Sequence, residues 1–313
     1  MDNTWRLEIR TGWIIGLALA VVCIAATVGL VVAAVVRPLS IWVFLLAIGA
    51  CLTLGLAIRI LYQLWGLINA SYELDRNALV IHWGPVEHQI PMGSIREVIA
   101  GTKLQNRHTR FSLRWPGYFV ALGRATVAAP SDSDSAGPSA LDPVLFYAAG
   151  GPRKQVVLRT DAVAYAISPA DLEAFLGALR ERLEMGPTQE VAERATHPTF
   201  LDWPIWRDRW ALGMLMSGFG LLVLLVGMLC WRYPYLPPDI VLRVTATGEP
   251  LLIARAARIF YVVLVGTIFA VLDTGLGFVF YHRERPIAYF LWSGHVAIVA
   301  SLCAAIVAIL LMQ

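Results

Sequence analysis

"YAISPADLEAFLGALRERL", residues 165–183, decides how the chain is read. It begins with small and aromatic residues of β character, meets a Ser-Pro turn, and continues with apolar residues at helical spacing. Ser168 is a good N-cap, Pro169 suits the first helical position, and Asp171 stands where a capping-box acid belongs. Leu172, Phe175, Leu176, Leu179 and Leu183 share one face of the predicted helix, while Glu173, Arg180, Arg182 and Glu184 point away from it. Gly186 and Pro187 stop it. A helix with one apolar and one charged side covers a core and faces water, so this unit predicts a soluble module closed by a helix.

Upstream lie the strands that such a helix would close. "YEL" (72–74), "ALVIHWG" (78–84), "EHQIP" (87–91), "GYFVALG" (117–123), "VLFYAA" (144–149), "KQVVLRT" (154–160) and "AVAYAIS" (162–168) are short, rich in Val, Ile, Tyr and Phe, and separated by Asp, Asn, Gly and Pro turns. They predict a small antiparallel sheet system, a barrel or sandwich whose open end the helix plugs. "SDSDSAGPSALDP", residues 131–143, has too little apolar content to pack and is expected to be a solvated loop.

The surroundings of this block are of another kind. Of the 313 residues 58% are hydrophobic and only 15% charged, more apolar than a soluble chain of this length, whose apolar share stays near ~50%. Five runs are long enough to cross a bilayer, which takes about 20 helical residues: 13–36, 41–64, 210–231, 259–281 and 287–312. "RPLS" alone separates the first two and "HRERP" the last two, so each pair is a helical hairpin. The first run is too long for a signal-peptide core and is expected to be a retained span.

Arg6, Arg10, Arg59, Arg207, Arg209, Arg283 and Arg285 fall on one side of these spans. Arg37, Arg232, Arg243, Arg255 and Arg258 fall on the other. Positive charge stays inside, so the N-terminus and the polar block are expected to be cytoplasmic and the C-terminus extracytoplasmic. All four cysteines, Cys23, Cys51, Cys230 and Cys303, lie in apolar runs, which supports neither a disulfide framework nor a zinc site.

"YELDRNALVIHWG" with "HQIPMGSIREV", then "PGYFVALGR", then "VVLRTDAVAYAISPADLEAFLGALRERL" resembles the bacterial pleckstrin-homology-like (PH-like) domains tethered to membrane helices. The resemblance covers about residues 70–185. It implies a seven-stranded, partly open barrel with a capping helix, used to bind lipid headgroups, peptides or proteins and not for catalysis. A weaker likeness links "YPYLPPDIVLRVTATGEP" (233–250) to an extracytoplasmic loop of immunity-type bacterial membrane proteins. Those loops carry a His where this chain has Leu242 or Arg243.

The expected architecture is therefore an α-helical membrane protein with five transmembrane helices and an inserted all-β PH-like barrel capped by a C-terminal helix. Residues 1–69 form the N-terminal hairpin, 70–185 the PH-like domain, 186–209 a linker and interfacial segment, and 210–313 a three-span region. Its expected place is the bacterial cytoplasmic membrane.

Three sets of residues stand out. Lys103, Arg107, Arg110 and Arg114 lie in a stretch free of acids and interleaved with Phe111, Trp115, Tyr118 and Phe119. Held near a membrane, such a stretch binds anionic headgroups or a partner, at ~1 kcal/mol per basic residue; the alternative is a solvated strand edge with its aromatics in the core. Asp273 and His295 each lie about eight residues from "HRERP", at a common depth in two spans. They form either a polar clasp between helices or an ion or proton site. Trp203, Trp206 and Trp210 are expected as interfacial anchors, on a helix starting at Pro204.

Metalloprotease, nucleophile-elbow, phosphate-loop and zinc patterns are missing from the sequence. The expectation is a non-enzyme without cofactor, metal or nucleic acid, whose partners are the bilayer and either a protein or anionic headgroups. The alternative is a transporter or immunity-type protein whose C-terminal bundle is the working part.

Overall fold

The structure is a computed structural model. It describes residues 4–109, 114–127, 139–189, 191–196, 203–244 and 250–311, with the backbone alone for 105–109, 139–142, 241–244 and 250–253. The chain forms two compact units, Met1–Ala25 with Leu54–Thr199, and Ala26–Thr53 with Phe200–Gln313.

The first unit begins with strand β1 (Thr4–Arg6), followed by helices α1 (Arg10–Val35) and α2 (Ile41–Ile68), whose distal halves belong to the second unit. β2 (Ser71–Leu74) follows α2 directly and pairs antiparallel with β1, Trp5 opposite Tyr72. The strands that bracket the helical hairpin are thus joined to each other. β3 (Ala78–Trp83) and β4 (Val86–Pro91) extend this sheet through a turn in which Gly84 takes a positive φ of 59°.

The second sheet holds β5 (Glu97–Ala100), β6 (Leu104–Thr109), β7 (Phe119–Val127), β8 (Ser139–Ala148), β9 (Val156–Arg159) and β10 (Ala164–Ile167) in the order β5-β9-β10-β8-β7-β6. Its two edge strands are consecutive in the chain and joined only by a 3-10 turn at Gly101–Lys103. Four Cα steps span at most ~14 Å, so the sheet is rolled until its edges approach. β5 and β6 are not paired with each other, and no closed barrel forms among the described residues.

The expectation of a wholly antiparallel system is corrected here. β8 and β10 pair in parallel, Leu145 opposite Tyr165, because the chain leaving β8 skips one strand position before β9, and β10 returns to fill the gap. The strand β8 also begins earlier than expected. Residues 139–143, expected as loop, belong to β8, which pairs with β7 there with Ala125 opposite Leu141, while residues 131–138 lie outside the described residues.

The closing helix is α3 (Leu172–Met185). Phe175 and Leu179 are buried in the core, with Leu172, Leu176 and Leu183 packed against it, and Trp5 meets Phe175 edge-on at 5.6 Å. Gly186 ends it at φ 70°. Its cap differs from the expected one. Asp171, not Ser168, is the N-cap, accepting from the Ala174 amide at 3.0 Å. The Ser168 hydroxyl is committed elsewhere: it accepts from the amides of Ala149 and Gly150 at 2.8 and 3.0 Å, fastening the crossover that leaves β8. Strand β11 (Arg194–Thr196), within the expected linker, adds to the outer side of β4.

The second unit contains α4 (Arg209–Arg232), a hairpin of β12 (Asp239–Val244) and β13 (Pro250–Arg255), then α5 (Phe260–Tyr281) and α6 (Arg285–Leu311). Counting the 3-10 turns that extend two of them, five helices among the described residues are long and apolar enough to cross a membrane, and only 11–22% of the most apolar window of each is buried. Val22, Trp42, Leu52 and Phe290 are among the large apolar side chains left exposed on them. Surfaces of that kind suit a hydrocarbon solvent.

Within the second unit the helices meet where small residues allow it. A Cβ at Gly277 would lie 2.1 Å from Nε1 of Trp292, and one at Gly218 would lie 2.5 Å from Cδ2 of His295. Close approach of this kind is how spans associate without a hydrophobic driving force between them.

Candidate interaction surface

In the first unit, buried polar groups clasp the two sheets. Tyr72 on β2 donates to the Tyr147 carbonyl on β8 at 2.6 Å and accepts from the Ser168 amide at 3.1 Å. His88 on β4 bonds through Nε2 to the Tyr147 hydroxyl at 2.8 Å. Burial pushes the phenols of Tyr72 and Tyr147 well above the ordinary tyrosine range. These groups are buried in the core, where they tie the two sheets together.

The same core reaches α1. Trp115 donates from Nε1 to the Gly12 carbonyl at 2.8 Å and stacks on Tyr118 at 4.5 Å. Burial pushes the Tyr118 phenol up to about 12. A Cβ at Gly12 would fall 2.1 Å from the Gly117 carbonyl oxygen, so the loop before β7 rests directly on the helix backbone.

The basic residues singled out from the sequence are dispersed. Lys103 is exposed on the turn between β5 and β6, Arg107 is a backbone position of β6, and Arg114 is exposed with its guanidinium 5.3 Å from the Phe119 ring centre. Arg110 and Phe111 lie outside the described residues. Trp115 and Tyr118 are buried.

A different surface is better formed. Between β5 and α3 is a cavity of about 210 Å³, lined by Val98, Ala100, Leu176, Leu179, Arg153 and Arg180 among others. Small-molecule sites are larger, ~300 Å³ and up, so this volume suits a side chain. Both arginines are exposed. Neither has an ion-pair partner among the described residues. At one end of β5, Arg96 forms a bidentate pair with Asp161, 2.8 and 2.9 Å, which holds that carboxyl below the usual carboxylate range. Sequence reading missed this site because Val98 and Leu176 are 78 residues apart in the chain, and no local motif marks an open strand edge.

In the second unit, His295 is buried and Asp273 half-buried. No hydrogen bond or ion pair joins Asp273 to His295 or Thr274 among the described residues. The polar junction that does form was not foreseen. Oδ1 of Asp208 caps α4 by accepting from the amides of Trp210 and Ala211 at 3.0 and 3.2 Å, and Oδ2 accepts from the hydroxyls of Tyr281, at 2.8 Å, and Tyr289. These phenolic hydrogen bonds, that of Tyr289 foremost, hold the Asp208 carboxyl below its usual range.

That cap corrects the expected helix start. Pro204–Arg207 is a single 3-10 turn, and α4 begins at Arg209 because Asp208 captures its first free amides. Trp203 packs edge-on to His282 at 5.0 Å, whereas Trp206 and Trp210 are exposed. No group of three or more metal-ligating side chains occurs among the described residues. Neither a family of known proteins, nor a curated protein, nor a solved structure matches this chain.

Proposed function

We infer that this chain is a membrane-tethered, non-catalytic interaction module of the PH-like type. It recognises a protein partner or anionic headgroups at the inner surface of a bacterial cytoplasmic membrane. The observation that carries this reading is the pairing of β1 with β2 across the helical hairpin. With only Leu7 to Ile9 between β1 and α1, and Asn69 and Ala70 between α2 and β2, the sheet is planted at the helix ends with no slack. Confinement of that kind raises effective concentration, so a weak recognition surface acts without high intrinsic affinity. The arginine distribution supports a cytoplasmic location of the module, and the rolled sheet under a closing helix supports the PH-like comparison.

The test is photocrosslinking in native membranes from a photoreactive residue placed in turn at the exposed positions of residues 70–185, Lys103 and Arg180 among them, with the adducts identified. Discrete protein or lipid adducts are expected. Their absence from every exposed position in residues 70–185 contradicts the reading.

A second reading rests on Asp273, a half-buried carboxylate inside an apolar helix, without a hydrogen-bond partner among the described residues. Such groups mark ion or proton paths, and the three-span region would then be the working part. Asp273→Asn should abolish a measured flux under that reading and leave crosslinks from the module unchanged under the first.

A further inference from the structure

Strand β5 is an edge with an unusual amount on offer. The amide of Gly101 donates to the Gln155 carbonyl at 2.8 Å, and β5 pairs with β9 in the register Ala100 opposite Val156 and Ile99 opposite Val157. In an antiparallel ladder, hydrogen-bonded and non-bonded pairs alternate. With Gly101 bonded to β9, Ile99 and Glu97 are bonded too, so the N–H and C=O groups of Val98 and Ala100 point off the open edge. No described strand pairs with that edge. The side chains of the same two residues line the cavity that α3 walls with Leu176 and Leu179. Val98 is 38% exposed.

The geometry points to a strand-addition site: an extended polypeptide segment pairs with β5 through Val98 and Ala100, seats an apolar side chain in the cavity, and places Asp or Glu against Arg153 and Arg180. Main-chain bonds supply the pairing and the cavity supplies the selection. Strand period two sets the pattern, since side chains on one face recur every second residue. The partner therefore carries an apolar residue with an acidic residue two positions away. Charge decides the class of occupant, because the two arginines rimming the cavity lack a carboxylate partner of their own among the described residues. The inference rests on the interaction-module reading and names the partner's chemistry.

The experiment uses the full chain in phosphatidylcholine nanodiscs. The probes are the fluorescein-labelled heptapeptide Thr-Leu-Thr-Glu-Thr-Glu-Thr and its counterpart with Lys for Glu, read by anisotropy. The acidic peptide should bind and the lysine peptide should not. Ala100→Pro is the discriminating variant. Ala100 already holds φ −65°, the value proline requires, and its N–H points away from β9, so the fold is kept while one donor is lost. It should weaken binding about tenfold with an unchanged melting temperature. Arg153→Glu with Arg180→Glu, both on the surface, should reverse the preference to the lysine peptide.

Equal binding of the two peptides, binding of neither, or binding that Ala100→Pro leaves unmoved overturns the site. If crosslinks from Lys103 persist while peptide binding fails, the interaction-module reading stands and the edge site falls. If crosslinks are absent throughout residues 70–185, both fall.

Discussion

Asp208 uses both carboxylate oxygens, one for the first amides of α4 and the other for the hydroxyls of Tyr281 and Tyr289. Asp208→Ala removes a helix cap, about 1 kcal/mol, and leaves two phenols without their acceptor. The melting temperature in detergent should fall, while Asp208→Asn, which retains a cap oxygen, should recover part of the loss. The pH dependence has a definite sign. Because its folded carboxyl is held low, the stabilisation by Asp208 is complete above the unfolded value of ~3.9 and is lost as pH falls through the lower folded value.

The buried phenols have the opposite dependence. Tyr72, Tyr118 and Tyr147 are pushed up by burial. Their contribution is therefore fully present below the unfolded value of ~10 and is lost as pH rises from there toward the folded values, by up to ~1.4 kcal/mol per unit for each group. Denaturation midpoints measured on either side of ~pH 10 should show a steep alkaline decline. Tyr72→Phe should reduce it.

At the scale of elements, the loop around Ser168 offers a direct comparison. Asp171→Ala deletes the observed cap of α3 and should cost about 1 kcal/mol. Ser168→Ala strips the acceptor from two amides of the β8 crossover and should cost more, about 2–3 kcal/mol. The reverse ranking in chemical denaturation would restore Ser168 as the cap.

The same stretch shows what the sequence discloses about elements. The face of α3 was legible because helical periodicity is local: Leu172, Phe175, Leu176, Leu179 and Leu183 mark it without reference to the rest of the chain. Which of Ser168 and Asp171 caps it was not legible, since the choice depends on Ala149 and Gly150, almost twenty residues upstream. β5 escaped notice because its four residues alternate weakly, with Glu97, Val98 and Ala100 all exposed and only Ile99 buried. β1 escaped because three residues including an arginine carry no strand signal until β2 is beside them. The parallel pairing of β8 with β10 follows from the route of the chain, which composition does not record.

For the whole molecule, the most legible feature was the set of five helices, among the described residues, that are long and apolar enough to cross a membrane, since hydrocarbon thickness sets a length that few other structures need. Their polar contacts were less so. Asp273 and His295 share a depth in the sequence pattern, yet depth leaves the facing direction of each side chain open, and no bond joins them among the described residues. The Asp208 junction spans 73 and 81 residues of sequence and leaves no local trace. The candidate surface between β5 and α3 has the same origin: each half is ordinary, and only the fold brings them together.

Recognition of a partner at the inner surface requires the 70–185 region to stand in water on the cytoplasmic side of the membrane. Because Cys23, Cys51, Cys230 and Cys303 are the four native cysteines and all lie within the span helices, each can be replaced by Ser and a single reporter introduced as Arg180→Cys. A membrane-impermeant maleimide should then label the chain in inside-out vesicles and leave it unlabelled in intact cells. Labelling in intact cells, or labelling only after detergent has dissolved the bilayer, would contradict it.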